Sequence, residues 1–176
     1  MNRNQFIGLT LVVIAAAALR LLFNHFSIWN FNPLTALCLF AGVRFADKKL
    51  AFVVPFVVML LTDWIIGFHA QMFPVYLSYG LITAVGVWLT KRESVVNTLV
   101  ASLASSVLFF LVTNLIIWYT GIQLYPMSFA GQIESYVAAL PFLRNALVGD
   151  LMFTTVLFGG WYLLTSTKPQ LVRVKA

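Results

Sequence analysis

The stretch PLTALCLFAGVRFADKKLAFVVPFVVMLLTDWII, residues 33–66, decides the architecture. It holds two apolar runs, Pro33 to Ala46 and Leu50 to Ile66, parted by Asp47-Lys48-Lys49. A helix needs about 20 apolar residues to cross a bilayer core. The first run reaches only ~21 Å at about 1.5 Å per residue, so length alone fits a re-entrant segment as well as a span. The basic residues break the tie. Four further apolar runs, Phe6 to Phe23, Pro74 to Leu89, Val95 to Tyr119 and Phe142 to Leu164, bring the total to six. Lys and Arg then fall on alternate connections: Arg3, then Arg44, Lys48 and Lys49, then Lys91 and Arg92, then Lys168, Arg173 and Lys175. The intervening connections, residues 24–32, 67–73 and 120–141, contain neither Lys nor Arg. Six spans with both termini cytoplasmic obey the positive-inside rule throughout, whereas five would put Lys48 and Lys49 on the wrong side.

Composition agrees. Of 176 residues 61% are apolar and 9% charged, against about 25% charged in an ordinary soluble domain. The net charge of +6 comes from 11 Lys and Arg in short clusters with no basic face, which excludes a nucleic-acid partner and marks topology instead. The single cysteine, Cys38, excludes an internal disulfide framework and a multi-cysteine zinc site. Arg3 before an apolar run ending in Ala15 to Ala18 resembles a signal peptide, but Arg20 and another apolar turn follow directly, so the first segment is expected to stay. No repeat, linker or low-complexity segment divides the chain, and residues 1–176 read as one transmembrane domain.

Local punctuation fits six helices. Asn32 before Pro33, Asp47 and Ser94 are placed as N-terminal caps of the second, third and fifth helices, and Gly67 and Gly121 as C-terminal caps. Pro55 should kink the third. In the third outer connection Ile133, Tyr136, Val137 and Leu140 recur at helical spacing, predicting a short interfacial helix from Ser128 that Pro141 ends.

Arg20, Asp63, Arg144 and Asp150 lie inside predicted spans. Left unpaired in lipid they would together cost on the order of 10 kcal/mol, so they pair or face water. Alternating helix directions put Arg20, Asp63 and Arg144 about one turn, roughly 5 Å, from the outer boundary, with Asn114 and Asn145 in the same layer and Asp150 about 9 Å deeper than Arg144. Arg144 and Asp150 point some 120° apart on one helix, so pairs between helices are expected, Arg20 with Asp63 and Arg144 with either Asp. A polar layer opening to one side reads as a pocket for a solute; the alternative is a neutral staple that fixes helix order. The outer connections supply a mouth of aromatic and polar residues, among them Trp29, Asn30, Asn32, His69 and, at the next helix, Tyr76. Most such aromatics form an interfacial belt. His25 and His69 flank the mouth, where either could ligate a metal or a corrin cobalt, although loop histidines are ordinarily surface residues. No G-x-S-x-G, H-E-x-x-H or Walker A pattern occurs, and the chain is not expected to be an enzyme.

The segments Asn30-Phe31-Asn32-Pro33, Ala36-Leu37-Cys38-Leu39-Phe40-Ala41-Gly42, Asp63 to Gly67, Val75-Tyr76-Leu77-Ser78, Thr113-Asn114 and Leu140-Pro141-Phe142 together resemble a family of small bacterial membrane proteins of unknown function. The likeness runs from about Arg20 to Trp161. In plan, length and outward-facing polar layer the chain is similar to the S components of energy-coupling-factor vitamin transporters, and most similar to the solitary cobalamin-type S components of Gram-negative bacteria. That resemblance implies an all-α, six-helix bundle of the bacterial inner membrane, with the lipid bilayer and a small vitamin-like solute as partners. Cobalamin would be transported rather than held as a cofactor, with Cys38 as a cobalt ligand. An energising module is the further partner it implies, yet the run Ala15 to Ala18 lacks the Ala-x-x-x-Ala pair of docking S components.

These readings assign Arg20, Asp63, Asn114, Arg144, Asn145 and Asp150 to a solute-binding floor or its staples, and Trp29, Asn30, Asn32, His69 and Tyr76 to its mouth. A membrane scaffold acting through a protein partner is the rival, with the small residues Ala101, Ser102, Ala104, Ser105 and Ser106 as its contact face.

Overall fold

A computed structural model describes residues 3–120 and 125–166. These form six helices: α1 (Arg3–His25), α2 (Leu34–Arg44), α3 (Lys48–Ile66), α4 (Met72–Leu89), α5 (Val95–Thr120) and α6 (Phe129–Ser166). Helices α3 to α6 are long and apolar enough to cross a membrane, while α1 and α2 contribute the shorter apolar stretches Thr10–His25 and Leu34–Arg44.

The sheath is apolar, and polar side chains are confined largely to the interior, where they sit among apolar ones. Trp64, Ile65, Phe73, Val95 and Leu164 are all at least 66% exposed. Buried instead are Thr35, Thr62, Asp63, Ser78, Thr83, Ser102, Ser105, Ser106, Asp150 and Thr154. Such a surface suits a hydrocarbon solvent and would aggregate in water.

Helix α2 explains why its run is too short for an ordinary span. All ten residues from Leu34 to Val43 are buried, and α2 contacts each of the other five helices. At about 16 Å it is the hub of the bundle, and its neighbours do the work of facing outward. A helix apolar on every side is stable only when enclosed in this way.

Small residues set the closest approach. Helix α2 meets α4 at Gly42 and Gly86, where a Cβ on Gly42 would stand 2.6 Å from the Thr83 carbonyl oxygen and one on Gly86 would stand 2.6 Å from that of Leu39. Backbones can meet this closely only without side chains.

Two expected N-terminal caps are present: Asp47 accepts from the Lys49 amide at 2.8 Å and Ser94 from that of Asn97 at 3.1 Å. Helix α2 differs by one residue: it begins at Leu34 with Pro33 at the cap position, and Asn32, one residue further back, accepts from the Leu34 amide at 3.0 Å. Gly67 ends α3 at φ 109°, a left-handed conformation that glycine adopts without strain. Gly121 lies outside the described residues.

One boundary differs. Pro141 does not end an interfacial helix; it lies inside α6, which runs unbroken over 38 residues. Proline removes one backbone hydrogen bond, a loss that neighbouring packing can carry. The first turns of α6 are held to the bundle by Gly131, Ser135 and Ala139, which are buried at four-residue intervals. Ile133, Val137 and Leu140 face outward, so that stripe is sheath. At about 57 Å, α6 exceeds the hydrocarbon thickness and projects beyond it.

Substituting Gly42→Ala or Gly86→Ala should cost about 1–3 kcal/mol through overpacking, read as a lower thermal unfolding midpoint in detergent. Gly80→Ala, whose Cβ would meet only the Phe56 ring at 3.5 Å, should leave the midpoint unchanged or slightly raised.

Candidate functional site

The loop between α1 and α2 takes two tight bends, with Ser27 at φ 56° and Asn30 at φ 60°. Asparagine tolerates that left-handed region because its short side chain bonds locally. The loop is tied down from α6, where the Asn145 amide donates to the Trp29 carbonyl at 3.1 Å. Phe31 stacks edge-on against Phe23 and Phe153, with centroids 5.0 and 5.7 Å away.

Beneath this loop lies a cavity of about 520 Å³. Arg20, Phe23, Asn24, Trp29, Asn30, Phe31, Asn32, His69, Gln71, Tyr79 and Phe109 are among its lining residues. Flat aromatic faces thus alternate with carboxamides, and Arg20 and His69 are the lining residues able to carry positive charge. Tyr79 forms part of the floor, its hydroxyl donating to Asn32 Oδ1 at 3.4 Å and its ring 5.1 Å from that of Phe109. A second space of about 410 Å³ adjoins it, sharing Trp29, Asn30, Gln71, Val75 and Phe109 and adding Asn114, Tyr125 and Phe142. All three aromatic connections therefore meet at one end of the bundle. At the other end Arg44 binds Glu93, and its guanidinium lies over the Phe158 and Trp161 rings.

Below the first cavity is the expected ion pair. Arg20 Nη2 stands 2.5 Å from Asp63 Oδ1, and Nη1 donates to the Met59 carbonyl at 3.2 Å and to the Thr62 hydroxyl. The other Asp63 oxygen accepts from the Tyr76 hydroxyl at 2.8 Å. Every charge-bearing atom of the carboxylate is engaged, and Asp63 is fully buried. The pair thus fastens α1, α3 and α4 together at the depth where the cavity begins. Asp63 and Tyr76 do not line the cavity; they hold Arg20, which does.

The remaining expected residues separate. Arg144 is exposed and pairs with neither aspartate, because its position on α6 faces away from the bundle. Asp150 is buried in a different polar centre, where it accepts from Ser106 at 2.6 Å. Cys38 is fully buried in α2 and lines neither cavity. Among the described residues no three His, Cys, Asp or Glu side chains are grouped to hold a metal ion. Of the small residues of α5, Ala101, Ser102, Ser105 and Ser106 are buried within the bundle and Ala104 is exposed.

Sequence reasoning passed over Phe23, Asn24, Tyr79 and Phe109 as lining residues. Asn24, one turn beyond Arg20 on the same helix, was the legible signal; the others are aromatics in apolar runs, where nothing local separates a cavity wall from ordinary packing.

Breaking the buried pair should be costly. Arg20→Leu or Asp63→Asn is expected to lose about 3–5 kcal/mol by stranding the partner, and Tyr76→Phe about 1 kcal/mol. Unfolding midpoints of the three variants in detergent check this ordering.

Comparison with curated proteins and with solved structures returns no match. The family model described as "Family of unknown function (DUF6580)" matches residues 1–171. The match spans nearly the whole chain and embraces both cavities and the ion pair, and the chain belongs to that family of unknown function, DUF6580.

Proposed function

We infer that this is a multi-pass protein of the bacterial inner membrane, with both termini cytoplasmic, that captures a small vitamin-like solute at its periplasmic face and carries it across in the manner of an S component. The observation supporting this reading is the roofed cavity of about 520 Å³ at the end opposite the basic connections. Its volume lies within the range of about 300–1,000 Å³ common to small-molecule sites. Its walls suit a solute with a flat ring and uncharged hydrogen-bonding groups. Trp29, Phe23 and Phe109 offer faces for stacking, while Asn24, Asn30, Asn32 and Gln71 can each donate and accept. Arg20 adds a preference for a partial negative charge.

Binding and translocation is the role proposed for these residues, which offer stacking faces and hydrogen-bonding groups to a solute. Cobalamin is one candidate through the likeness to the cobalamin-type components. A cobalt–thiolate bond to Cys38 would require α2 to unpack, because that thiol is enclosed by the hub. Without an Ala-x-x-x-Ala pair in α1, the chain is proposed to act without a docked energising module.

Native mass spectrometry and an absorption spectrum of the detergent-purified protein, before and after incubation with cobalamins and a panel of other vitamins, test this reading. One vitamin should add its mass at one copy per chain. A combined Trp29→Ala and His69→Ala variant, altered only at exposed side chains, should bind it at least about tenfold more weakly, a loss of about 1.4 kcal/mol. An unshifted mass with every vitamin, or a stoichiometric protein partner retained from native membranes, would overturn it.

A further inference from the structure

Asp150 is the buried carboxyl that the solute cavity does not use. It is 2% exposed, in the middle of α6, which packs against α5 and α2. Hydroxyls surround it. Ser106 donates to its Oδ2 at 2.6 Å, Thr35 faces it from α2, and Ser102 shares a 3.0 Å hydrogen bond with Thr154 one turn further along α6. The Ser105 hydroxyl, beside Ser106, is buried with no hydrogen-bond partner. The ion pairs among the described residues are Arg20–Asp63 and Arg44–Glu93, and Asp150 joins neither. The titratable groups nearby that interact with its charge are the Cys38 thiol on α2 and the Tyr79 phenol on α4, Arg20 beyond Tyr79 being taken up by Asp63, and α5 contributes hydroxyls. Neither the thiol nor the phenol brings a positive charge.

A carboxylate in hydrocarbon without a cation is too costly to persist, so the site holds a proton or another small cation. Its ligands are hydroxyls, with Ser106 already at hydrogen-bond distance, and Asp150 lines neither outer space. A metal cation needs several oxygens at once in an open shell, whereas a proton needs no room.

The position is also suited to exchange. Towards the outside, Phe31 of the solute cavity rests on Gly149, where a Cβ would meet its ring at 3.1 Å. Towards the basic end, a separate cavity of about 470 Å³ between α5 and α6 is lined by Arg44, Glu93, Thr98 and Thr154. Thr154 is the residue hydrogen-bonded to Ser102. Asp150 thus sits on α6 between Gly149, which touches Phe31 of the outer cavity, and Thr154, which lines the inner one.

We propose that Asp150 is a proton-binding site between the outer and inner cavities, and that its loading and release accompany solute movement; this rests on the transport reading above. The step is a simple exchange. The carboxylic acid gives its proton to water in one cavity, leaving a carboxylate held by the Ser106 and Thr35 hydroxyls, and regains a proton from water in the other. No other bond changes and no electrons move.

Infrared difference spectroscopy on the full-length protein in lipid vesicles tests the site without any solute. The chain has only five Asp and Glu residues, so a carboxylic-acid carbonyl band can be assigned by substitution. The band should shift down on transfer to deuterium oxide, fade as the buffer is made alkaline and be missing in Asp150→Asn. If that variant does not fold, Ser106→Ala decides the assignment: loss of the 2.6 Å hydrogen bond should move the band to higher frequency. A folded wild type with no such band, a band unmoved by deuterium oxide, or one indifferent to Ser106→Ala overturns the proposal. Vitamin binding without the exchangeable band would refute the proton site and leave the transport reading standing. The band without any bound vitamin would keep the proton site and refute its coupling to solute.

Discussion

Everything in this bundle follows from placing its polar groups where lipid cannot reach them. Hydrocarbon offers no hydrogen bonds, so a buried hydroxyl, amide or carboxyl needs a partner from its own helix backbone, as Ser78 and Thr83 find, from another helix or from a water-filled space. Helix α2 makes that arrangement workable. Enclosed by the five other helices, it offers every side of a short apolar rod for packing, and the polar side chains gather at its margins. Asn32 precedes its first turn, and Thr35 lies within that turn. The close backbone approach at Gly42 and Gly86, which leaves no room for a Cβ, fixes where α4 lies against it, and thereby where Tyr76 and Tyr79 stand.

Two polar centres result, at different depths and with different chemistry. The shallower one, Arg20 with Asp63 and Tyr76, is saturated and neutral. It behaves as a fastening that shapes the cavity above it. The deeper one, around Asp150, is lined by hydroxyls, and neither ion pair among the described residues reaches it. The first is fully paired, whereas the second is held by hydroxyls alone among the described residues.

Much of the plan was legible because membrane insertion constrains sequence strongly. The apolar runs located α3 and α4 to within two residues, and Asp47, Ser94 and Gly67 announced their capping roles. Arg20 and Asp63 were matched through equal depth, which helix rise alone supplies. Arg144 was misplaced because depth does not give rotation: a residue can lie in the right layer and still face outward. Pro141 misled for a similar reason, since a helix-ending signal in water is weaker where neighbouring helices hold the backbone. The Asp150 cage lay hidden in the serines of α5, whose spacing fits a face for a partner as readily as an internal hydroxyl lining. Nothing in one strand of sequence says which helix a small-residue face meets.

The central claim is directional: the cavity mouth faces the periplasm and the basic connections face the cytoplasm. Because Cys38 is fully buried, the native chain provides an unlabelled background for membrane-impermeant maleimide on intact cells with a permeabilised outer membrane. The decisive measurement compares labelling of Gln71→Cys at the mouth with labelling of Lys91→Cys at the basic end. The account predicts that Gln71→Cys reacts in intact cells and that Lys91→Cys reacts only after the inner membrane is broken. Labelling of Lys91→Cys with protection of Gln71→Cys would invert the bundle and contradict capture from outside.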